Sequence, residues 1–99
     1  EVDEGDLIAE ALGDKKVIIL QNHGILTTGP SVDIALWFYT SMERCCQAQL
    51  MADAAGETQL IPHDTAIKTR SFIANDVAAW ASFQPAFDMI CKKEPDLFD

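Results

Sequence analysis

The sequence predicts an α/β fold in the order helix, strand, strand, long helix, further helices. Three observations carry this reading. Val17-Ile18-Ile19-Leu20 is a run of four apolar β-formers, Ile25 to Thr28 is a second short run beyond a turn, and a helical pattern continues unbroken from Ser31 to Ala55. The 99 residues suffice for one small domain or for part of a larger one.

Asp3 to Leu12 forms the first helix, with Leu7, Ile8, Ala11 and Leu12 on one side and early acids that suit its N-terminus. Gly13 ends it. The run from Val17 to Leu20 is the kind expected of a strand covered on both faces, which normally belongs to a larger sheet. Gln21 to Gly24 is short enough to make the two runs either antiparallel neighbours or one bulged strand. Gly29-Pro30 breaks the second strand, and Ser31 is placed to cap the long helix, with Asp33 near its positive end.

That helix is about 37 Å long at ~1.5 Å per residue, and Gly56 is placed to stop it. Its apolar stripe comprises Ala35, Phe38, Met42, Cys45 and Ala52, opposite Asp33, Thr40, Arg44 and Gln47. Leu36, Trp37, Tyr39, Leu50 and Met51 widen the apolar surface, as expected if a sheet covers one side and another helix or subunit the other. After the connector Glu57 to Pro62, Asp64 caps a helix in which Ile67, Ala74, Val77 and Ala81 align, with Ile73 and Trp80 alongside. Pro85 breaks that pattern before a last short helix through Ala86, Phe87, Met89, Ile90 and Cys91, which Pro95 closes ahead of a frayed tail. Two strands alone do not make a stable buried sheet. The sheet is completed by another chain or by an N-terminal half, or else the domain is small and dominated by helices.

Sixteen acidic residues against seven basic ones give a net charge of −9, which repels nucleic-acid backbones and anionic membrane surfaces. Acids gather at both ends, in Glu1, Asp3, Glu4 and Asp6 and in Glu94, Asp96 and Asp99, and read as solvated termini. Apolar runs are far shorter than the ~20 residues that span a bilayer. Three cysteines without zinc spacing, and an acidic start without a basic leader, point to a cytoplasmic protein with reduced, buried thiols. The opening on Glu1 rather than Met suggests a processed, excised or incompletely covered protein.

His23 is the strongest candidate for chemistry, because imidazole is the commonest transition-metal ligand and Gly24 permits close approach. From the residues alone, a lone histidine in a strand loop is more often structural. A catalytic zinc needs three protein ligands, whereas His63, read as a capping or loop residue beside Asp64, is the only other histidine. Asn22 suits a turn or a contact to a substrate oxygen. Trp37 and Tyr39 read as packing residues, and Glu43 and Arg44 as a solvated face. No phosphate loop, dinucleotide fingerprint, nucleophile elbow or HExxH motif is present, and no base is spaced to activate Cys45, Cys46 or Cys91.

The apolar strand, Gln21-Asn22-His23-Gly24, Thr28-Gly29-Pro30 and the helix bearing Met42-Glu43-Arg44-Cys45-Cys46-Gln47-Ala48 together resemble the class II aldolase/adducin family, specifically the second half of its domain. The resemblance covers about residues 6–56. Residues 57–99, with Trp80 to Pro85 and Pro95-Asp96, are similar to the C-terminal extension of eukaryotic, fungal-type members. It implies a partial three-layer αβα domain in which His23 is the last of three zinc-binding histidines. The family's His-x-His pair, acidic general acid/base and phosphate-binding loops have no counterpart here, nor do its C-terminal tyrosines, since Tyr39 is the sole tyrosine.

With a complementary N-terminal half or another chain, the resemblance implies a Zn²⁺-dependent lyase acting on a small carbonyl or carboxylate substrate. Aldol cleavage, epimerisation and decarboxylation are all carried out on this scaffold, through an enediolate or related carbanion. It also implies a homo-oligomer, commonly a symmetric tetramer. The alternative is a non-catalytic, adducin-like scaffold or oligomerisation module that has lost the metal site.

Overall fold

The computed structural model describes residues 3–99. The acidic cluster read at the start of the chain includes Glu1, which lies outside them. Helix α1 (Glu4–Leu12) leads into strands β1 (Val17–Leu20) and β2 (Gly24–Thr27). Helices α2 (Val32–Ala55), α3 (His63–Ile73) and α4 (Asp76–Lys93) follow, and a 3₁₀ turn, Pro95–Phe98, ends the chain.

The strands form an antiparallel hairpin in the register Val17↔Thr27 to Leu20↔Gly24, so the bulged single strand does not occur. The Thr28 N–H donates to the Lys16 carbonyl at 2.9 Å, extending the ladder by one step. The end signals act through ordinary capping chemistry. Asp3 accepts from the Gly5 N–H, Gly13 takes a positive φ of 54° after α1, and the Ser31 hydroxyl accepts from the Ile34 N–H at 3.3 Å.

Helix α2 packs against β2 on one side and α4 on the other, yet Leu36, Tyr39, Leu50 and Met51, which widen its apolar surface, stay exposed. Ile34, Phe38 and Ala79 are the buried residues, with Val17, Trp37 and Ala74 packed partly against them. Lys16 helps to hold this junction. Its Nζ lies 5.1 Å from the Phe38 ring centroid and 3.6 Å from Asp76 Oδ1, so one cation links β1 to α2 and α4. Gln84 Nε2 donates to Asp33 Oδ2 at 2.8 Å, a second polar tie between α2 and α4.

Several expectations are corrected. The strand β1 is not covered on both faces, since Ile19 is 60% exposed. The thiols are not buried: Cys45 is exposed and Cys46 and Cys91 are half-buried, and the α3 and connector residues near Cys45 leave open grooves over it instead of closing on it. Asp64 does not cap α3. The cap position is Pro62, without a side-chain bond, and His63 is the first helical residue rather than a loop residue. Val77 is 78% exposed, and the inward face of α4 runs instead through Ala78, Ala79 and Phe83.

The second half contains two helices divided at Ala74-Asn75, not at Pro85. Asn75 Oδ1 accepts from the Ala78 N–H at 2.9 Å, while its Nδ2 donates to the carbonyls of Ser71 and Phe72 at 3.1 and 2.9 Å. One side chain thus satisfies orphan groups of two helix ends. Pro85 lies inside α4, and both it and Ala81 are exposed, where water can take the bond that the ring nitrogen cannot make. The last residues form a 3₁₀ turn that sets Phe98 edge-on to Phe87 with centroids 6.3 Å apart, where a tail without structure was expected.

The chain is open in shape. Its radius of gyration is 16.4 Å, against ~13 Å for a compact domain of this length. Its accessible surface of 8251 Å² is nearly half as large again as the ~5,600 Å² of a folded monomer of its mass. Leu60, Phe72, Leu50 and Ile61 are among the large apolar side chains left in solvent.

Asn75→Ala is expected to lower stability by about 1–2 kcal/mol, because it leaves groups at two helix ends without partners. Denaturant titration of the intact protein, with Asn75→Asp retaining the cap to α4, checks the value.

Candidate functional site

The hairpin tip consists of Gln21, Asn22 and His23, all exposed. The His23 N–H donates to the Leu20 carbonyl at 3.1 Å, closing a four-residue turn. Asn22 occupies the third position of that turn with φ 61°, in the left-handed region, where asparagine costs less than other side chains. Gly24 follows with φ 145°, and a Cβ there would meet nothing within 4 Å. Glycine is therefore required there by its backbone conformation and not by any close approach.

The ring is oriented by one contact. His23 Nδ1 lies 3.0 Å from the Gln21 carbonyl oxygen. A carbonyl only accepts, so Nδ1 carries the proton and the lone pair of the neutral ring is on Nε2. Metal-bound histidines characteristically donate their other ring N–H to such an acceptor, and the bond fixes the ligating nitrogen. His23 is thus prepared as a single nitrogen donor at the end of a strand.

The stem beneath this tip is seated on α2. Thr27 Oγ1 donates to the Ala35 carbonyl at 2.8 Å in a half-buried position. Gly29 lies where the chain passes the first turn of α2, and a Cβ there would come within 2.9 Å of Ile34 Cγ2 and 3.0 Å of Ala35 N. Only glycine permits that approach without displacing the helix.

The other sequence candidates do not join His23. Among the described residues, no group of three His, Cys, Asp or Glu side chains is close enough to hold a metal. His63 begins α3, Glu43 and Arg44 are exposed on α2 without an ion pair among the described residues, and Tyr39 is 43% exposed. Trp37 packs against the core as expected. Two contributors were missed. The Gln21 carbonyl carries no signal of its own in sequence, whereas Thr27 is a β-branched hydroxyl residue just before a helix start, a weak signal.

An apolar groove of about 570 Å³ runs between α2 and the α3–α4 region, lined in part by Trp37, Met42, Cys45, Phe72 and Ala78. It lacks the convergent polar groups of a substrate site.

Residues 1–50 match the family described as Class II Aldolase and Adducin N-terminal domain. The chain belongs to the class II aldolase/adducin family. It is 39% identical over 95 residues to the decarboxylase NovR of Streptomyces niveus, covering 96% of this chain and 35% of that protein. It is 38% identical over 65 residues to rat (Rattus norvegicus) alpha-adducin, covering 61% of this chain and 9% of that protein. The L-fuculose 1-phosphate aldolase of Glaciozyma antarctica superposes with a TM-score of 0.90 at 40% identity, over 97% of this chain and 39% of that one. The mixed α/β architecture is that of part of a class II aldolase domain, and this chain spans about a third of the length of the curated relatives it matches first. Among the described residues, no helix is long and apolar enough to cross a membrane.

Gly29→Ala is expected to destabilise the intact protein by about 1–3 kcal/mol through overpacking against Ile34 and Ala35. Thr27→Val, which keeps the shape but removes the bond to α2, is expected to lower stability by about 1 kcal/mol. Denaturant midpoints compared at a constant m-value check both.

Proposed function

We propose that this chain supplies the C-terminal portion of a single class II aldolase/adducin-like domain, and that His23 is one ligand of its divalent metal. Residues 6–56 form the core of that portion and residues 57–99 its helical extension. The observation that carries the reading is the Nδ1–H bond to the Gln21 carbonyl, which leaves the Nε2 lone pair exposed at the tip of a hairpin. One donor fits a metal. The remaining ligands are assigned to residues outside this chain segment, on a complementary N-terminal half or another chain.

A divalent metal such as Zn²⁺ bound there would stabilise negative charge developing on a substrate oxygen. The residues of this chain hold the donor in place. The Gln21 carbonyl fixes the ring, Gly24 supplies the backbone conformation that returns the chain to β2, and Thr27 and Gly29 anchor the stem to α2. The proposed activity is lyase chemistry on a small carbonyl or carboxylate substrate, in the class that includes aldol cleavage, epimerisation and decarboxylation. The likeness to a decarboxylase and to a sugar-phosphate aldolase supports that class. We assign the protein to the cytoplasm, a reading supported by its three unpaired cysteines, and place its exposed apolar faces against the rest of the domain and against copies of itself in a homo-oligomer.

The second reading, a non-catalytic scaffold or oligomerisation module, is supported by the match to alpha-adducin. Metal analysis separates the two. Intact protein purified without chelator is expected to carry about one equivalent of divalent metal per chain, and His23→Ala to lose it while remaining folded, since the ring is exposed. Equal metal content in the two proteins, or none in either, leaves the scaffold reading.

A further inference from the structure

The orientation of His23 is tied to the backbone conformation of the residue before it. The turn that brings the Gln21 carbonyl to His23 Nδ1 is closed by the His23 N–H to Leu20 bond and passes through Asn22 at φ 61°. Among the described residues the Asn22 side chain makes no hydrogen bond, so its contribution is the backbone conformation it tolerates. Glycine and asparagine adopt that conformation readily, alanine pays a moderate steric cost, and a β-branched residue strongly opposes it.

We propose that Asn22 is a positioning residue: its left-handed backbone holds the Gln21 carbonyl against His23 Nδ1 and thereby fixes the tautomer that leaves the lone pair on Nε2. The purpose of this arrangement rests on the reading of His23 as a metal position. The tautomer itself does not, and can be observed without metal. An imidazole freed from the carbonyl exchanges its proton between both nitrogens, and a metal must then select the minority of rings with the correct nitrogen bare.

The test uses the intact protein and its Asn22→Gly, Asn22→Ala and Asn22→Val variants, with two readouts. The first is the ¹⁵N chemical shifts of the His23 ring in metal-free protein, taken by long-range ¹H–¹⁵N NMR at a pH where the ring is neutral. The second is calorimetric titration with Zn²⁺. The wild type and Asn22→Gly are expected to show the Nδ1–H form. Asn22→Val is expected to show a mixture and to bind Zn²⁺ about 10-fold or more weakly, in the range typical for loss of a ligand-orienting contact. Asn22→Ala is expected to fall between them and serves where Asn22→Val does not fold.

A wild-type ring protonated on Nε2, or the same tautomer in all the variants that fold, overturns the inference. If the tautomer moves as expected while the wild type binds no Zn²⁺, the positioning role stands and the metal reading falls. If Zn²⁺ binds the wild type but the tautomer is indifferent to residue 22, the positioning role falls alone. A purely structural role for Asn22 would lower the melting temperature of Asn22→Val and leave the ring shifts unmoved.

Discussion

The seat of β2 on the first turns of α2 is the constraint on which the rest of this structure depends. Gly29 admits the helix to within contact distance of the strand exit, and Thr27 bonds across to Ala35. Ile34, buried against this junction, and Phe38, one helical turn further on, form most of the core that the described residues possess. Because the hairpin is only four pairs long and has no third strand among the described residues, its direction is set by this contact rather than by a sheet. The position of the hairpin tip, and hence of His23, follows from how closely strand and helix approach.

The rest of the surface has the character of an interior face turned outward. A core of three buried residues among those described is small for a chain with 48% apolar composition, and the excess surface and large radius of gyration describe the same deficit in other terms. This chain covers 35% of the decarboxylase and 39% of the aldolase it is similar to, and the reading proposed above places the remainder of such a domain over these faces. The side-chain ties that hold α4, from Gln84 to Asp33 on α2 and from Asp76 to Lys16 just before β1, are polar and partly exposed. Ties of that kind set orientation more than they supply stability.

Much of the first half was legible because its signals are local and independent. The apolar run at Val17, the turn before Gly24, the cap at Ser31 and the stop at Gly56 each act within a few residues, and all point to the same hairpin followed by a long helix. The second half was misread where two local signals competed. Pro85 is the stronger helix breaker by propensity, yet on an exposed face its cost was absorbed, while Asn75 divided the helices by capping both ends. The residue type His23 marked the site, but the Gln21 carbonyl that orients it is a backbone group common to every residue. Patterns also assumed that each apolar stripe is covered, which fails for Ile19, Cys45 and Val77 because their cover would have to come from beyond these residues.

On the proposed reading of His23 as a metal position, the hairpin would keep a single ligand ready apart from its partners. An imidazole in solvent has two interchangeable nitrogens and many orientations, and a metal that recruits it must bear the entropy of fixing both. Here the closed turn and the Nδ1–H bond limit those choices before any other ligand arrives. The elements that do this lie within Leu20 to Gly24, and the anchors beneath them lie within Thr27 to Ala35. A relative could therefore lose its other ligands and keep this turn intact, because the turn is also what joins β1 to β2. On that reading, retention of the scaffold and retention of a metal are separable in this architecture, because the turn serves the hairpin whether or not the imidazole binds anything.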